Sequence, residues 1–169
     1  YTAHALKSLP KPREHFKAAL APESFCTLSR DVELLSMAIP TPDNLPVLDV
    51  LPEFLSKLAE HGAAVLVAPP GAGKTTCVPL ALLEAKAIGD QKIVLLEPRR
   101  LAARAAARRM ADLLQEEVGQ TVGLRTRFET KISRKTRVEV VTEGVFTRMI
   151  LAEPGLAGIG CVLFDEFHE

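Results

Sequence analysis

A short apolar run, Ala63 to Val67, leads into Ala68-Pro69-Pro70-Gly71-Ala72-Gly73-Lys74-Thr75, and a segment with helical character follows. Strand, glycine-rich loop and helix in that order form a nest for phosphate oxygens. Gly71 and Gly73 let the backbone curl, so that successive N–H groups point into one concavity. The helix behind them adds unpaired N–H groups and the positive end of its dipole. Lys74 is then placed to reach the β- and γ-phosphates of a nucleotide, and the Thr75 hydroxyl to ligate Mg²⁺. Ala68 stands where the strict pattern has glycine. A glycine-rich turn that binds nothing is the alternative.

The 169 residues suit one domain or part of a longer protein, and 47% hydrophobic residues supply a core. No apolar run approaches the roughly 20 residues of a membrane helix. Cys26, Cys77 and Cys161 stand singly, without metal spacing, which leads us to expect a reducing cytoplasm. Net charge is zero, but Pro98 to Arg137 holds eleven Lys/Arg against four Asp/Glu. That local excess is read either as a basic face for polyanions or as a solvated surface with distant counter-charges. The chain starts at Tyr1 and stops directly after a motif, so we expect a fragment.

Residues 1–44 carry Pro10, Pro12, Pro22, Pro40 and Pro42 and no sustained periodicity, and are expected to form a poorly organised extension. Short helices are expected at His15 to Leu20 and Arg30 to Met37, with Met37 as the natural start. From Leu45, Leu48, Leu51, Leu55 and Leu58 mark a helix closed at His61-Gly62. Ala63 to Val67 reads as a buried strand, Gly73 to Ala87 as a helix containing Pro79, and Ile93 to Leu96 as a strand. Pro98 opens a helix to about Val118, with Gly119 past its end. Val122 to Glu129 and Arg137 to Val141 read as strands, Glu143 to Leu151 as a helix, and Cys161 to Phe164 as an apolar strand. The alternation predicts an α/β fold with a mostly parallel sheet.

The apolar strand ends in Asp165-Glu166-Phe167-His168, which puts two carboxylates at the sheet edge where α/β folds bind ligands. Beside a P-loop, the first suits Mg²⁺ and the second suits an attacking water. With Glu97-Pro98-Arg99-Arg100-Leu101-Ala102-Ala103 and Thr142-Glu143-Gly144 between them, these motifs resemble those of the DEAH-box helicases of superfamily 2, closest to the bacterial HrpB-type branch. The resemblance covers about Leu45 to Glu169. Phe167 replaces the family's Ala, and Glu143 its commoner Asp.

The resemblance implies a RecA-like P-loop lobe at 45–169, truncated after the DEAH-type motif. It further implies a nucleic-acid-stimulated ATPase that translocates on or unwinds RNA or DNA. It assigns Pro70, Gly71, Ala72, Gly73, Lys74, Thr75 and Thr76 to ATP, Thr75 and Asp165 with Glu166 to the metal, and Glu166 to water activation. His168 matches a position that couples the site to a second lobe, Arg109 one that stacks on adenine, and Arg99, Arg100 and Thr142 a nucleic-acid track. Guanidinium groups suit phosphate, and phosphate contacts are blind to sequence. Arg104 and Arg108 are read as paired with Asp112, Glu116 or Glu117 or as covering the helix surface, and Arg125, Arg127 and Arg148 as solvated or internally paired. Phe128 is read as a core or patch residue, not a base-stacking platform, and Cys77 as a buried thiol. Another P-loop ATPase, or a nucleic-acid-binding module that holds ATP without turnover, stays open. The family's second lobe and its next strand would lie beyond Glu169. That strand belongs between the P-loop strand and the Asp-Glu strand, so we expect a gap there, an unstable isolated chain and no useful ATPase.

Overall fold

Four apolar strands, each with alternate residues directed to opposite faces, organise the molecule. The structure is a computed structural model that describes the backbone of residues 14–20 and residues 45–166 in full. Its strands are β1 (Glu14–Leu20), β2 (Ala63–Ala68), β3 (Lys92–Leu96), β4 (Val122–Arg125), β5 (Thr130–Lys131), β6 (Val138–Val141) and β7 (Ile159–Phe164). The helices are α1 (Leu51–His61), α2 (Lys74–Glu84), α3 (Arg100–Leu113) and α4 (Glu143–Ala152). The sheet order is β2-β1-β7-β3-β6-β4-β5.

Strands β7, β3, β6 and β4 run parallel, and β5 folds back on β4 as a short antiparallel pair. Ile93 and Leu95 of β3, Val138 and Val140 of β6, and Cys161 and Leu163 of β7 face α1, α2 and α3 in the larger core. Their neighbours Val94, Val141 and Val162 face α4, where Val145 and Phe146 cover them. Phe146 meets Phe164 edge-on at 5.7 Å between ring centroids. Helices therefore sit on both faces, as a parallel sheet requires. Glu139 lies on the α4 face of β6, buried between Lys92 Nζ at 2.6 Å and Arg125 at 3.4 Å. These cations offset the cost of burying a carboxylate within a strand.

The expected gap beside the P-loop strand is filled. β1 lies between β2 and β7 and is antiparallel to both, with Ala18 opposite Ala64 on one side and Leu163 on the other. The helix expected at His15 to Leu20 is this strand. Two open strand edges hold rows of backbone N–H and C=O groups, and an extended segment satisfies both rows at once. The helix expected at Arg30 to Met37 lies outside the described residues. Val65, expected to be buried, is 56% exposed because β2 ends the sheet.

Other boundaries shift for local reasons. Pro98 precedes the α3 N-cap, Arg99, whose backbone is extended, so the helix starts at Arg100. It stops at Leu113 rather than near Val118 because Gln115 takes φ +56°. The strand expected to run to Glu129 breaks after Arg125, where the Thr126 hydroxyl accepts from the N–H groups of Phe128 and Glu129 and closes a turn. The leucine helix ends as expected, with Gly62 at φ 69° donating to the Leu58 carbonyl.

A strand flanked on both sides has every N–H directed at a neighbour, so proline within it removes a ladder bond. In this chain Ala18→Pro is expected to cost about 1–3 kcal/mol, read as a lower urea midpoint. An unchanged midpoint, with rapid hydrogen exchange across residues 14–20, would remove β1 from the sheet.

Candidate nucleotide site and basic face

Successive antiparallel pairings of β1 leave β2 parallel to β7 and so to β3, β6 and β4. The C-terminal ends of these strands therefore share one edge of the sheet. The glycine-rich loop follows β2, Glu97 to Arg100 follow β3, Thr126 to Phe128 follow β4, Thr142 follows β6, and Asp165-Glu166 follow β7.

In the loop, Gly71 and Gly73 have φ +75° and +93°, values that a side chain strains. A Cβ on Gly73 would also lie 2.9 Å from Leu45 Cδ1 and 3.1 Å from Cys77 Sγ. The Ala72 N–H donates to the Pro69 carbonyl, which tightens the curl around Pro70. Lys74 opens α2 at only 4% exposure, and its Nζ donates to the carbonyls of Ala68 at 3.0 Å and Pro69 at 3.1 Å. The ammonium is thus held within the turn of the loop. Cys77 is fully buried behind it, and burial pushes its thiol up, as expected of a structural thiol.

The Thr75 hydroxyl, one residue into α2, donates to Asp165 Oδ2 across ninety positions of sequence. Asp165 is 5% exposed, and its N–H donates to the Leu96 carbonyl, which fixes it against β3. Its other oxygen accepts from the Glu166 N–H at 3.0 Å. That bond holds Glu166 at φ +50°, a left-handed conformation costly for a non-glycine residue, and turns its side chain toward the cavity. The cavity has a volume of about 350 Å³, and Thr75, Thr76, Arg99, Arg109, Asp165 and Glu166 are among its lining residues. Ala102, Ala105 and Ala106 form its α3 wall, while Ala103 and Ala107 turn into the core. The alanine-rich helix therefore leaves room as well as packing closely.

Thr75 and Asp165 are hard oxygen donors, and no group of three His, Cys, Asp or Glu forms a metal cage among the described residues. This donor set fits Mg²⁺, which binds through one or two carboxylates together with substrate phosphates and water. Glu97 is a member of the site that its sequence position did not reveal. It is 3% exposed and lines the same cavity. Burial, reinforced by the adjacent Asp165 carboxylate, pushes it up to about 7, with Glu166 adding to the rise and the Arg99 N–H opposing it.

The expected nucleic-acid residues divide. Arg99 lines the nucleotide cavity, whereas Arg100 faces out and sits 5.3 Å above the Phe128 ring. Arg127 lies 5.4 Å from the same ring. Phe128 is 73% exposed, so of the two readings, core or patch, it is a surface patch residue. Beyond it, Arg125, Thr126, Arg127 and Arg148 line a second cavity of about 390 Å³ against α4. Arg104 pairs with Glu129 at 2.7 Å instead of the expected helix acids, and Glu116 accepts from Thr121. Thr142 is buried and caps no N–H with its side chain, although its carbonyl accepts from Val145 and Phe146. His168 lies outside the described residues.

With this geometry in view, residues 49–169 match the DEAD/DEAH box helicase family. Over 126 residues the chain is 55% identical to the ATP-dependent RNA helicase HrpB of Escherichia coli, covering 75% of this chain and 16% of that protein. It is 35% identical to mouse ATP-dependent RNA helicase DHX33 over 75% of this chain and 18% of the relative. A crystal structure of the E. coli DEAH/RHA helicase HrpB superposes with a TM-score of 0.61 at 50% identity, covering 69% of this chain and 15% of that one. The chain thus spans less than a fifth of the relatives it matches. Its paired motifs, its sheet and these likenesses agree: the chain belongs to the DEAD/DEAH box helicase family.

Proposed function

We propose that the complete protein carrying this chain is an ATP-dependent helicase, and that this lobe binds Mg-ATP and one side of an RNA strand. The observation that carries the reading is the meeting of Thr75 with Asp165 at the mouth of the glycine-rich loop. The loop N–H groups and the start of α2 would receive the β- and γ-phosphates, with Lys74 exchanging the Ala68 and Pro69 carbonyls for phosphate oxygens. Thr75 and Asp165 would hold Mg²⁺, which neutralises phosphate charge when bound. Glu166, fixed by its bond to Asp165, is placed to orient a water and accept its proton. Arg109 and the α3 wall border the same cavity and suit the adenine ring.

RNA is the favoured polymer because the relatives are named as RNA helicases. Arg100, Phe128 and Arg127 offer two guanidinium groups around an exposed ring, and the cavity of Arg125, Arg127 and Arg148 continues the positive surface. Such a surface binds phosphates and stacks bases without reading sequence. Thr142, at the end of β6, borders this edge. Among the described residues no helix is long and apolar enough to cross a membrane. We place the protein in the cytoplasm on the scattered single cysteines.

The test is a pair of variants in the complete protein. Glu166→Gln is expected to keep ATP binding and lose about 10²–10⁴ in RNA-stimulated turnover. Lys74→Ala is expected to weaken ATP binding itself by about 30-fold or more. Phosphate release and fluorescent-nucleotide titration separate the two effects. Full turnover in Glu166→Gln would contradict the assignment of that residue, and turnover indifferent to single-stranded RNA at low salt would contradict the motor reading.

A further inference from the structure

Strand β6 carries a carboxylate where every neighbour is a valine. Glu139 follows Val138, precedes Val140 and shares the α4 face with Val141, and its side chain is only 4% exposed. Lys92 Nζ donates to Glu139 Oε1 at 2.6 Å and by itself supplies the full counter-charge. Arg125 Nη1 donates to the other oxygen at the longer distance of 3.4 Å. The group of three therefore keeps one positive charge in excess, and the looser partner holds it. Arg125 ends β4 beside Val141, so it reaches back diagonally to Glu139 while standing at the sheet edge that carries the basic surface. There it lines the cavity of about 390 Å³ against α4 with Arg127 and Arg148, and no Asp or Glu is among the lining residues. Each of the three arginines is anchored by a different group. Arg148 Nε donates to the Gly144 carbonyl, Arg127 lies over the Phe128 ring, and Arg125 leans on Glu139. Anchoring a long side chain before a ligand arrives lowers the entropy lost on binding.

We propose that Glu139 is a positioning residue that holds Arg125 at the cavity under α4, where its guanidinium receives a phosphate of the RNA strand. The proposal rests on the RNA reading given above and adds to it a residue buried away from the strand. Lys92 completes the device. An acid close to a phosphate site repels the incoming anion, and the tight Lys92 contact cancels that repulsion. Glu139 thus orients Arg125 without consuming its charge. Position and charge pull in opposite directions when Glu139 is removed. By charge alone, losing an acid strengthens RNA binding; by position, losing the anchor weakens it.

The experiment measures the fluorescence anisotropy of a labelled single-stranded oligoribonucleotide with the complete protein over a salt series. It compares wild type, Glu139→Met, Arg125→Ala and the double variant, each checked for folding by its melting curve. Methionine fills the space of the glutamate, and the Lys92 and Arg125 side chains, 39% and 35% exposed, reach water once it is gone. Arg125→Ala is expected to lower RNA affinity about fivefold and to reduce the salt slope by about one. Glu139→Met is expected to lower affinity about threefold or more, although it removes a negative charge. In the Arg125→Ala background the same change is expected to cause no loss, because the residue it positions is absent. A folded Glu139→Met protein that binds as tightly as wild type, or more tightly, overturns the proposal. An equal loss in both backgrounds also overturns it, since a merely structural role does not depend on Arg125. Should Glu139→Met fail to fold, Lys92→Met decides at a more exposed position. There the uncompensated Glu139 takes up the charge of Arg125, and affinity and salt slope are expected to fall as in Arg125→Ala; wild-type values overturn the proposal. Wild type that does not bind the oligoribonucleotide at low salt is a distinct result, because it removes the RNA reading and the proposal with it.

Discussion

The hydrogen bond from the Thr75 hydroxyl to Asp165 is possible only because two distant strands end at the same edge of one sheet. β2 and β7 are not neighbours. β1 lies between them, and at the usual strand spacing their axes are about 10 Å apart. The loop after β2 and the bend after β7 close that distance from opposite sides. If β2 ran the other way, the glycine-rich loop would open at the far edge of the sheet and the acids would face nothing. The parallel relation of these two strands is thus the constraint behind the nucleotide cavity, the fixed Glu166 backbone and the position of the basic turn.

The same edge gathers two groups of residues. Strands β2 and β7 deliver the loop and the acids, while β3, β4 and β6 deliver Arg99-Arg100, Phe128 and Thr142. Neighbouring strand ends are so close that the turn after β3 borders the cavity beside the glycine-rich loop. Arg99 shows this directly: it belongs to the basic turn, yet it borders the nucleotide cavity. Glu97 lies where the two regions meet.

Much of this was legible in the sequence because the signals were local. Gly71, Gly73, Lys74 and Thr75 announce their loop, and an apolar strand ending in Asp165-Glu166 announces an edge. Gly62 closes its helix as a glycine in left-handed conformation should. The strand directions of the parallel core followed from its unbroken apolar runs. What stayed hidden depends on tertiary neighbours. Glu14–Leu20 has no strand pattern of its own, and its conformation is set by two edges that need partners. Phe128 looked like any scattered aromatic until the Thr126 turn put it at the surface between Arg100 and Arg127. Arg104 was expected to pair with acids of its own helix or to cover its surface, and Glu129, brought near by that turn, pairs with it instead. Glu97 opens a recognisable motif, but its burial beside Asp165 has no sequence signature. The end of α3 was overestimated because nothing in the composition of residues 114–118 announces the positive φ of Gln115.

The most direct test of the account locates the metal. Crystals of the complete protein grown with Mn²⁺ and a non-hydrolysable ATP analogue would show the ion by its anomalous scattering. The account predicts a single strong peak between the β- and γ-phosphates, bound by the Thr75 hydroxyl and held by Asp165 directly or through one water. A triphosphate ordered away from the glycine-rich loop, or an ion with Thr75 and Asp165 on separate sides of the molecule, would contradict it.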